Sequence, residues 1–171
     1  RAMYFSRADR PADPYAAGHE SAGVTSAATR WFLAEGATGS FFNMFILLAN
    51  PSGQDATVQM DYLLTDGRVI TRTRTVAANS RLTLNVAFEA PELLSANMST
   101  VVTSTNSVPI VVERAMWWPS PGSNWVEAHN SPGETVTGPR WGLAEGESGG
   151  PRGTQTYILI ANTSAFPGNA R

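Results

Sequence analysis

Apolar and polar residues alternate through the middle of the chain with a period of two, the pattern of a β-strand with one buried face. In the run from 56 to 64, for example, Val58, Met60 and Tyr62 are separated by polar residues. Turn signals such as the hairpin dipeptide Asp66-Gly67 separate the runs. The predicted strands lie at 41–49, 56–64, 69–76, 81–86, 100–104 and 110–117, with a short helical turn within 91–96.

Period-two runs joined by short turns predict an all-β fold made of antiparallel sheets. We expect about seven strands in about 110 residues, which favours an antiparallel two-sheet sandwich of immunoglobulin-like type. A β-propeller is the weaker alternative, because its blades repeat about every 40 to 50 residues. No stretch shows a convincing 3.6-residue periodicity of an amphipathic helix.

The sequence also repeats itself. The segment Trp31-Phe-Leu-Ala-Glu-Gly36 returns 110 positions later as Trp141-Gly-Leu-Ala-Glu-Gly146. Three further segments return in the same order: Arg1-Ala-Met3 as Arg114-Ala-Met116, His19-x-Ser21 as His129-x-Ser131, and Phe45-Ile-Leu-Leu-Ala-Asn50 as Tyr157-Ile-Leu-Ile-Ala-Asn162. Four ordered matches indicate an internal duplication with a repeat of about 110 residues.

The duplication divides the chain into one complete unit and two partial ones. Residues 31–140 would form a complete sandwich with a proline-rich connector. Residues 1–30 would be the last strand and connector of an upstream unit, and residues 141–171 the first strands of a downstream unit. Isolated strands are marginally stable, so we expect both flanks to pack on the central unit or on neighbouring copies, with strand donation as one such arrangement.

The order of these elements resembles the immunoglobulin-like sandwich repeats of large bacterial surface proteins. The duplicated Trp-x-Leu-Ala-Glu-Gly and Arg-Ala-Met segments resemble an uncharacterised family of tandem repeats in bacterial extracellular proteins. The resemblance covers nearly the whole chain, and its motifs carry no known chemistry. It implies an extracellular or cell-surface location and neighbouring copies of the same repeat as partners.

Composition further limits the kinds of partner and location that the chain can have. With 14 acidic and 12 basic residues the net charge is −2, which argues against a nucleic-acid partner. No apolar run approaches the roughly 20 residues of a membrane-spanning helix. The chain has no cysteine, which fits a bacterial exterior or a cytosol better than a disulfide-rich secreted domain. Because the sequence does not begin with methionine, we expect it to be a piece of a longer protein.

The two histidines, His19 and His129, fall one in each of two proline-containing connectors, 4–30 and 118–139. We expect neither connector to be helical, because proline removes a backbone donor. Metal binding would need three or four convergent ligands, and the nearby carboxylates have no ligand spacing. A structural histidine that anchors the connector by hydrogen bonding is therefore favoured, and no metal or cofactor is expected.

Glu35 and Glu145 recur between alanine and glycine in each copy. A carboxylate in a partly buried turn is either a catalytic acid or a member of an ion pair. Arg114 and Arg1 also recur once per copy, which favours one structural Glu–Arg pair per unit. A hydrolase with Glu35 as its acid would need a second carboxylate, and none is evident, so we expect no enzyme activity.

Three tryptophans, Trp117, Trp118 and Trp125, cluster at the end of the last predicted strand. Exposed rings of this kind stack on sugars in glycan-binding sandwiches. The favoured alternative is that the connector folds back and buries the rings, because large aromatic side chains are mostly buried.

These patterns predict a structural or adhesive module, with a carbohydrate-binding module as the alternative. The residues expected to form the contact between repeats are Trp31, Glu35, Arg114, Trp117 and His129.

Overall fold

The computed structural model describes residues 1–7, 9–119, 125–151 and 153–171, and within them the chain is all-β. Its strands are β1 (Ala2–Phe5), β2 (Ala17–Glu20), β3 (Arg30–Leu33), β4 (Asn43–Asn50), β5 (Ala56–Leu64), β6 (Val69–Val76), β7 (Ser80–Asn85), β8 (Met98–Ser104), β9 (Val111–Trp118) and β10 (Glu127–Pro132). Two short 3-10 helices, Val86–Phe88 and Pro91–Leu93, interrupt them. The described part contains no helix with the length and apolar character needed to cross a membrane.

Eight of the strands form two four-stranded sheets. Sheet 1 has the strand order β10-β9-β4-β7, and sheet 2 has the order β3-β8-β5-β6. All the strand pairs in both sheets are antiparallel. The predicted all-β, antiparallel two-sheet sandwich is therefore confirmed. The remaining strands, β1 and β2, form a separate antiparallel hairpin.

The core lies between the two sheets and is formed by the alternating apolar positions. Trp31 on β3 is 1% exposed, and its indole nitrogen donates to the carbonyl oxygens of Ala28 and Ile110 at 3.1 and 3.0 Å. Burial of one large apolar side chain stabilises a fold by about 1.5–3 kcal/mol. The largest fully buried side chains are Trp31, Tyr62, Met44, Ile46, Leu48, Met60, Leu93, Ile110 and Met116.

The runs predicted from alternation correspond to β4 through β9, and β1 lies where the repeat predicted the last strand of an upstream unit. The strands β2, β3 and β10 were not among the predicted runs. The connectors 4–30 and 118–139 are not wholly irregular, because they contain β2 and β10. Both histidines consequently lie on strands rather than in loops. Strand β2 has only four residues, too few alternating positions to be recognised, and β10, Glu-Ala-His-Asn-Ser-Pro, has no alternating large apolar residues. Pairing with a neighbouring strand holds both in place.

The hairpin β1–β2 reproduces the register of the hairpin β9–β10. Met3 lies opposite His19 in the first hairpin, and Met116 lies opposite His129 in the second. The other pairs correspond in the same way: Ala2–Glu20 to Ala115–Asn130, Tyr4–Gly18 to Trp117–Ala128, and Phe5–Ala17 to Trp118–Glu127. The duplicated sequences at these two places thus form duplicated structure.

The duplicated segment at 141–171 lies in a different environment from its counterpart in the sandwich. Trp141 is 60% exposed, whereas Trp31 is 1% exposed. Ile158 is 67% exposed, whereas its counterpart Ile46 is fully buried. None of the described residues of this segment belongs to a strand. Side chains that form the core in one copy therefore face solvent in the other.

Candidate functional site

An ion-pair cluster between sheet 1 and the loop after β3 joins three of the residues singled out from the sequence. Arg114 lies in the middle of β9, on the face that Val112 and Met116 turn toward the core, and it is 4% exposed. Its Nη1 donates to the Oε2 of Glu35 and, at 3.2 Å, to the carbonyl oxygen of the same residue. Glu35 follows the end of β3, so the pair ties sheet 1 to the loop leaving sheet 2.

The second nitrogen of the Arg114 guanidinium is directed toward β10. Its Nη2 donates to His129 Nδ1 at 3.1 Å and to Ser131 Oγ at 3.4 Å. A guanidinium carries donors only, so Nδ1 of His129 is the acceptor and its proton is on Nε2. That Nε2 lies 3.8 Å from Oε2 of Glu35. The Glu–Arg pair that recurrence predicted is therefore present, within a single sandwich, and a neutral His129 completes it.

The surroundings of His129 lower its pKa below the ordinary value of 6.5. Burial has the largest effect, because it disfavours the charged imidazolium. The neighbouring Arg114 cation acts in the same direction, and the Glu35 carboxylate opposes both. The cluster therefore favours the uncharged form of His129.

This pKa shift predicts that acid destabilises the sandwich. Below pH about 6.5 the unfolded chain binds a proton at His129 that the folded chain does not, so the free energy of unfolding falls as the pH drops toward the folded-state pKa. The contribution is fully present above pH about 6.5. We expect urea unfolding at about pH 7.5 and pH 5 to show a smaller acid-induced loss for His129→Gln than for the unchanged chain. Equal losses would contradict the assignment, because the other titrating groups are common to both proteins.

A second cluster lies on the outer face of sheet 1, the face turned away from sheet 2, where the hairpin β1–β2 packs. His19 hydrogen-bonds through Nδ1 to Oδ1 of Asn130, whose Nδ2 donates to Ser21 Oγ at 2.7 Å. Phe5 packs on Trp117 with ring centroids 5.0 Å apart. The two copies of the His-x-Ser motif therefore lie in different places. His19 and Ser21 belong to this second cluster, whereas His129 and Ser131 belong to the ion-pair cluster.

Ion pairs on either side of β1 reinforce the contact between the hairpin β1–β2 and sheet 1. Arg1 Nη2 lies 2.8 Å from Oε2 of Glu113 on β9, and Arg7 Nη1 lies 3.5 Å from Oε1 of Glu127 on β10. The contact therefore combines a tilted aromatic pair, a buried histidine–asparagine hydrogen bond and peripheral charges. Exposed pairs of this kind contribute little individually, so the aromatic and buried polar contacts set its strength.

The three clustered tryptophans do not line one surface. Trp117 and Trp125 lie on the outer face of sheet 1, with centroids 4.8 Å apart and planes inclined at 43°. Trp118 is on the opposite face of β9, where it packs against the core and lies 5.8 Å from Phe42 and 5.5 Å from His129. Trp125 is held by donation from its Nε1 to Asn43 Oδ1 at 3.0 Å.

Of the five residues predicted for the contact between repeats, Trp117 is the one that touches the hairpin β1–β2. Trp31 lies in the core, and the ion-pair cluster holds the other three. Asn130 was missed because its counterpart in the first copy is Glu20, and Glu113 was missed because the sequence at hand contains no counterpart for it. Ser131 was marked by the repeated His-x-Ser motif and could have been included. No group of three metal-binding side chains occurs in the described part of the chain.

No model of a known protein family matches the sequence, and no curated protein matches it. The crystal structure of Thermotoga maritima 1070 has a TM-score of 0.55 and 14% sequence identity, covering 64% of this chain and 96% of that chain. The Anabaena sensory rhodopsin transducer has a TM-score of 0.46 and 21% identity, covering 54% and 91%. The likeness to the Thermotoga protein is one of fold alone.

Proposed function

We propose that this chain is a non-enzymatic structural or adhesive part of a tandem array of immunoglobulin-like sandwich repeats, on a bacterial surface or in an extracellular filament. Residues 31–140 are one complete unit of the array. Residues 1–30 end the preceding unit, and residues 141–171 begin the following one. Each unit contacts its immediate neighbours, so the array as a whole acts as a spacer of defined length.

The observation that supports this proposal is the distribution of the duplicated elements. The last hairpin of the central sandwich, β9–β10, has its copy in β1–β2 at the start of the chain, with the same register. The first strands of the sandwich, β3 and β4, have their sequence copies at 141–162. The order is therefore the end of a unit, a whole unit and the beginning of a unit, which is the order that tandem repetition produces.

In this proposal the contact of β1–β2 with sheet 1 sets the angle between consecutive units. Trp117 packs against both Phe5 and Trp125, and the buried pair of His19 and Asn130 fixes the position along the strand. A contact of rings and directional hydrogen bonds resists bending more than a flexible linker does. Stiffness and spacing are the mechanical properties required of a surface stalk or filament.

The ion-pair cluster stiffens the unit itself, as the hairpin contact stiffens the joint between units. Arg114 holds the loop after β3 through Glu35 and holds β10 through His129. The chain leaves β10 toward Trp141 and the next unit. We propose that Trp31, Glu35, Arg114 and His129 position this exit and so act on the contact between repeats from within the sandwich.

The geometry does not favour glycan binding by Trp117, Trp118 and Trp125. A sugar-binding platform needs rings that are open on one common face. Here Trp118 is on the inner side of β9, and Trp117 is covered by Phe5 and His19. Carbohydrate binding therefore stays the alternative, to be tested by tryptophan fluorescence during titration with glycans.

Immunogold electron microscopy of bacteria that make the protein tests the proposal. Antibodies against residues 31–140 are expected to label the outside of the cell envelope or extracellular fibres. Negative staining of the released protein is expected to show beads at a constant spacing of one sandwich. Label confined to the cytoplasm, or particles without a repeating spacing, would overturn the proposal.

A further inference from the structure

We propose that Arg72 and Arg74 block the open edge of sheet 2 against a second copy of the chain, so that units lying side by side stay separate. The inference concerns one complete sandwich, so it holds whether or not the units are joined in an array.

The open edge belongs to β6. Sheet 2 ends with this strand, and within the described chain β6 pairs with β5 alone. The strand lies in the complete unit, and neither partial unit repeats its sequence. Six of its eight residues are β-branched and none is proline, a composition that favours pairing with a further strand. An edge of this kind joins readily to another chain unless something blocks it.

The pairing with β5 determines which backbone groups of β6 lie on the open edge. The Leu64 N–H donates to the carbonyl oxygen of Arg68 at 2.9 Å, and the bonds of an antiparallel ladder recur at every second residue. Arg72 therefore bonds β5 through its backbone, as do the residues two positions before and after it. The carbonyl oxygens of Thr71 and Thr73 point the other way, out of the sheet.

Arginine side chains already bond both of these outward carbonyl oxygens. Arg72 Nη1 donates to the carbonyl oxygen of Thr71 at 2.8 Å, and Arg74 Nη1 donates to that of Thr73 at 2.9 Å. The two acceptors that an added strand would use in the middle of β6 are therefore occupied. A strand that paired here would first have to displace two charge-assisted hydrogen bonds.

Glu89 holds the two guanidinium groups at the edge. Its carbonyl oxygen accepts from Arg72 Nε at 2.6 Å, and its Oε2 lies 3.0 Å from Arg74 Nη2. The Glu89 side chain is only 7% exposed, so water screens this ion pair weakly. Each guanidinium thus contacts both Glu89 and a carbonyl oxygen of the edge, which keeps the arginine side chains in place.

The charges of the two arginines oppose strand pairing as well. Two copies of β6 paired antiparallel, with Thr73 opposite Thr73, would place Arg72 of one copy opposite Arg74 of the other. Like charges directly opposite each other destabilise a strand pair. The same two residues therefore occupy the acceptors and repel their counterparts in a second copy.

Replacement of both arginines tests the inference. For Arg72→Thr combined with Arg74→Thr we expect about a twofold or larger rise in weight-average mass over the unchanged chain, measured by light scattering at equal concentration. A second version adds Glu89→Gln, so that no buried carboxylate is left without its cation. The matched control, Arg68→Thr with Arg81→Thr, also removes two cations, but these two donate to side chains and leave the edge carbonyls covered. Its mass should equal that of the unchanged chain.

A proline variant identifies the edge of β6 as the place of association. The Thr73 N–H points away from β5, so Thr73→Pro removes no hydrogen bond within sheet 2 but hinders a partner strand. Added to the arginine variant, it should return the mass to that of the unchanged chain. Circular dichroism identifies the version of the arginine variant that keeps its strands. An unchanged mass in that version, an equal rise in the control, or a rise that persists with Thr73→Pro would overturn the inference.

Discussion

Replacement of Trp31 by alanine is expected to lower the free energy of unfolding by about 3–5 kcal/mol. The side chain is 1% exposed and lies among the largest buried groups of the core. Its loss leaves a cavity that the sandwich fills only in part, and it also removes the indole donor from the carbonyl oxygens of Ala28 and Ile110. Urea unfolding followed by circular dichroism measures the change.

Trp141→Ala is the matched control, since Trp141 occupies the same place in the repeated motif. It is 60% exposed, so we expect its replacement to change stability by less than about 0.5 kcal/mol. A similar large loss in both variants would mean that the second copy of the motif is packed in a core of its own. A small loss in both would mean that Trp31 does not hold the sandwich together.

Replacement of Glu35 by glutamine is expected to lower the free energy of unfolding by about 2–3 kcal/mol. The change removes the counter-charge of Arg114, which is 4% exposed and would remain as a buried cation. Removal of one partner from a fully buried pair costs about 3–5 kcal/mol. The expected loss is smaller because the Glu35 side chain keeps 31% of its exposure and water partly screens the pair.

Two further variants separate the pair from general damage. Glu145→Gln, at the corresponding position of the second copy, is expected to be nearly neutral. Arg114→Met removes the buried cation, so the effects of Glu35→Gln and Arg114→Met should be strongly non-additive in a double-mutant cycle. Additive effects, or an unchanged melting temperature for Glu35→Gln, would contradict the pairing.

Much of the sandwich could be predicted because its longer strands carry the period-two pattern without interruption. In β5 the alternation of Val58, Met60 and Tyr62 with polar residues specifies both the strand and its buried face. The Glu35–Arg114 contact could be predicted for a different reason, since both residues recur once in each copy. A single sequence does not show which distant residues are in contact, but two residues that both recur once in each copy are candidates for such a contact.

The short strands and the packing of the first hairpin could not be predicted. β2 has four residues, and its position depends on pairing with β1 and on contacts with a strand 111 positions away. Asn130, which binds His19 there, gave no repeat signal because Glu20 occupies the corresponding place in the first copy. Contacts between segments that are far apart in the sequence depend on which surfaces the fold brings together, and the apolar pattern of a single segment does not specify this.

The central claim is that the duplicated segment at 141–171 is the beginning of a further sandwich. Amide hydrogen exchange in a lengthened chain that supplies the rest of that sandwich tests this claim most directly. Residues 51–140 are joined after Asn162, the counterpart of Asn50, so that the segment beginning at 141 can form a whole unit. We expect the amides of 157–162, which belong to no strand, to exchange rapidly in the 171-residue chain. In the extended chain we expect them to become as protected as those of 45–50. Continued rapid exchange at 157–162 in the extended chain would contradict the tandem-repeat account.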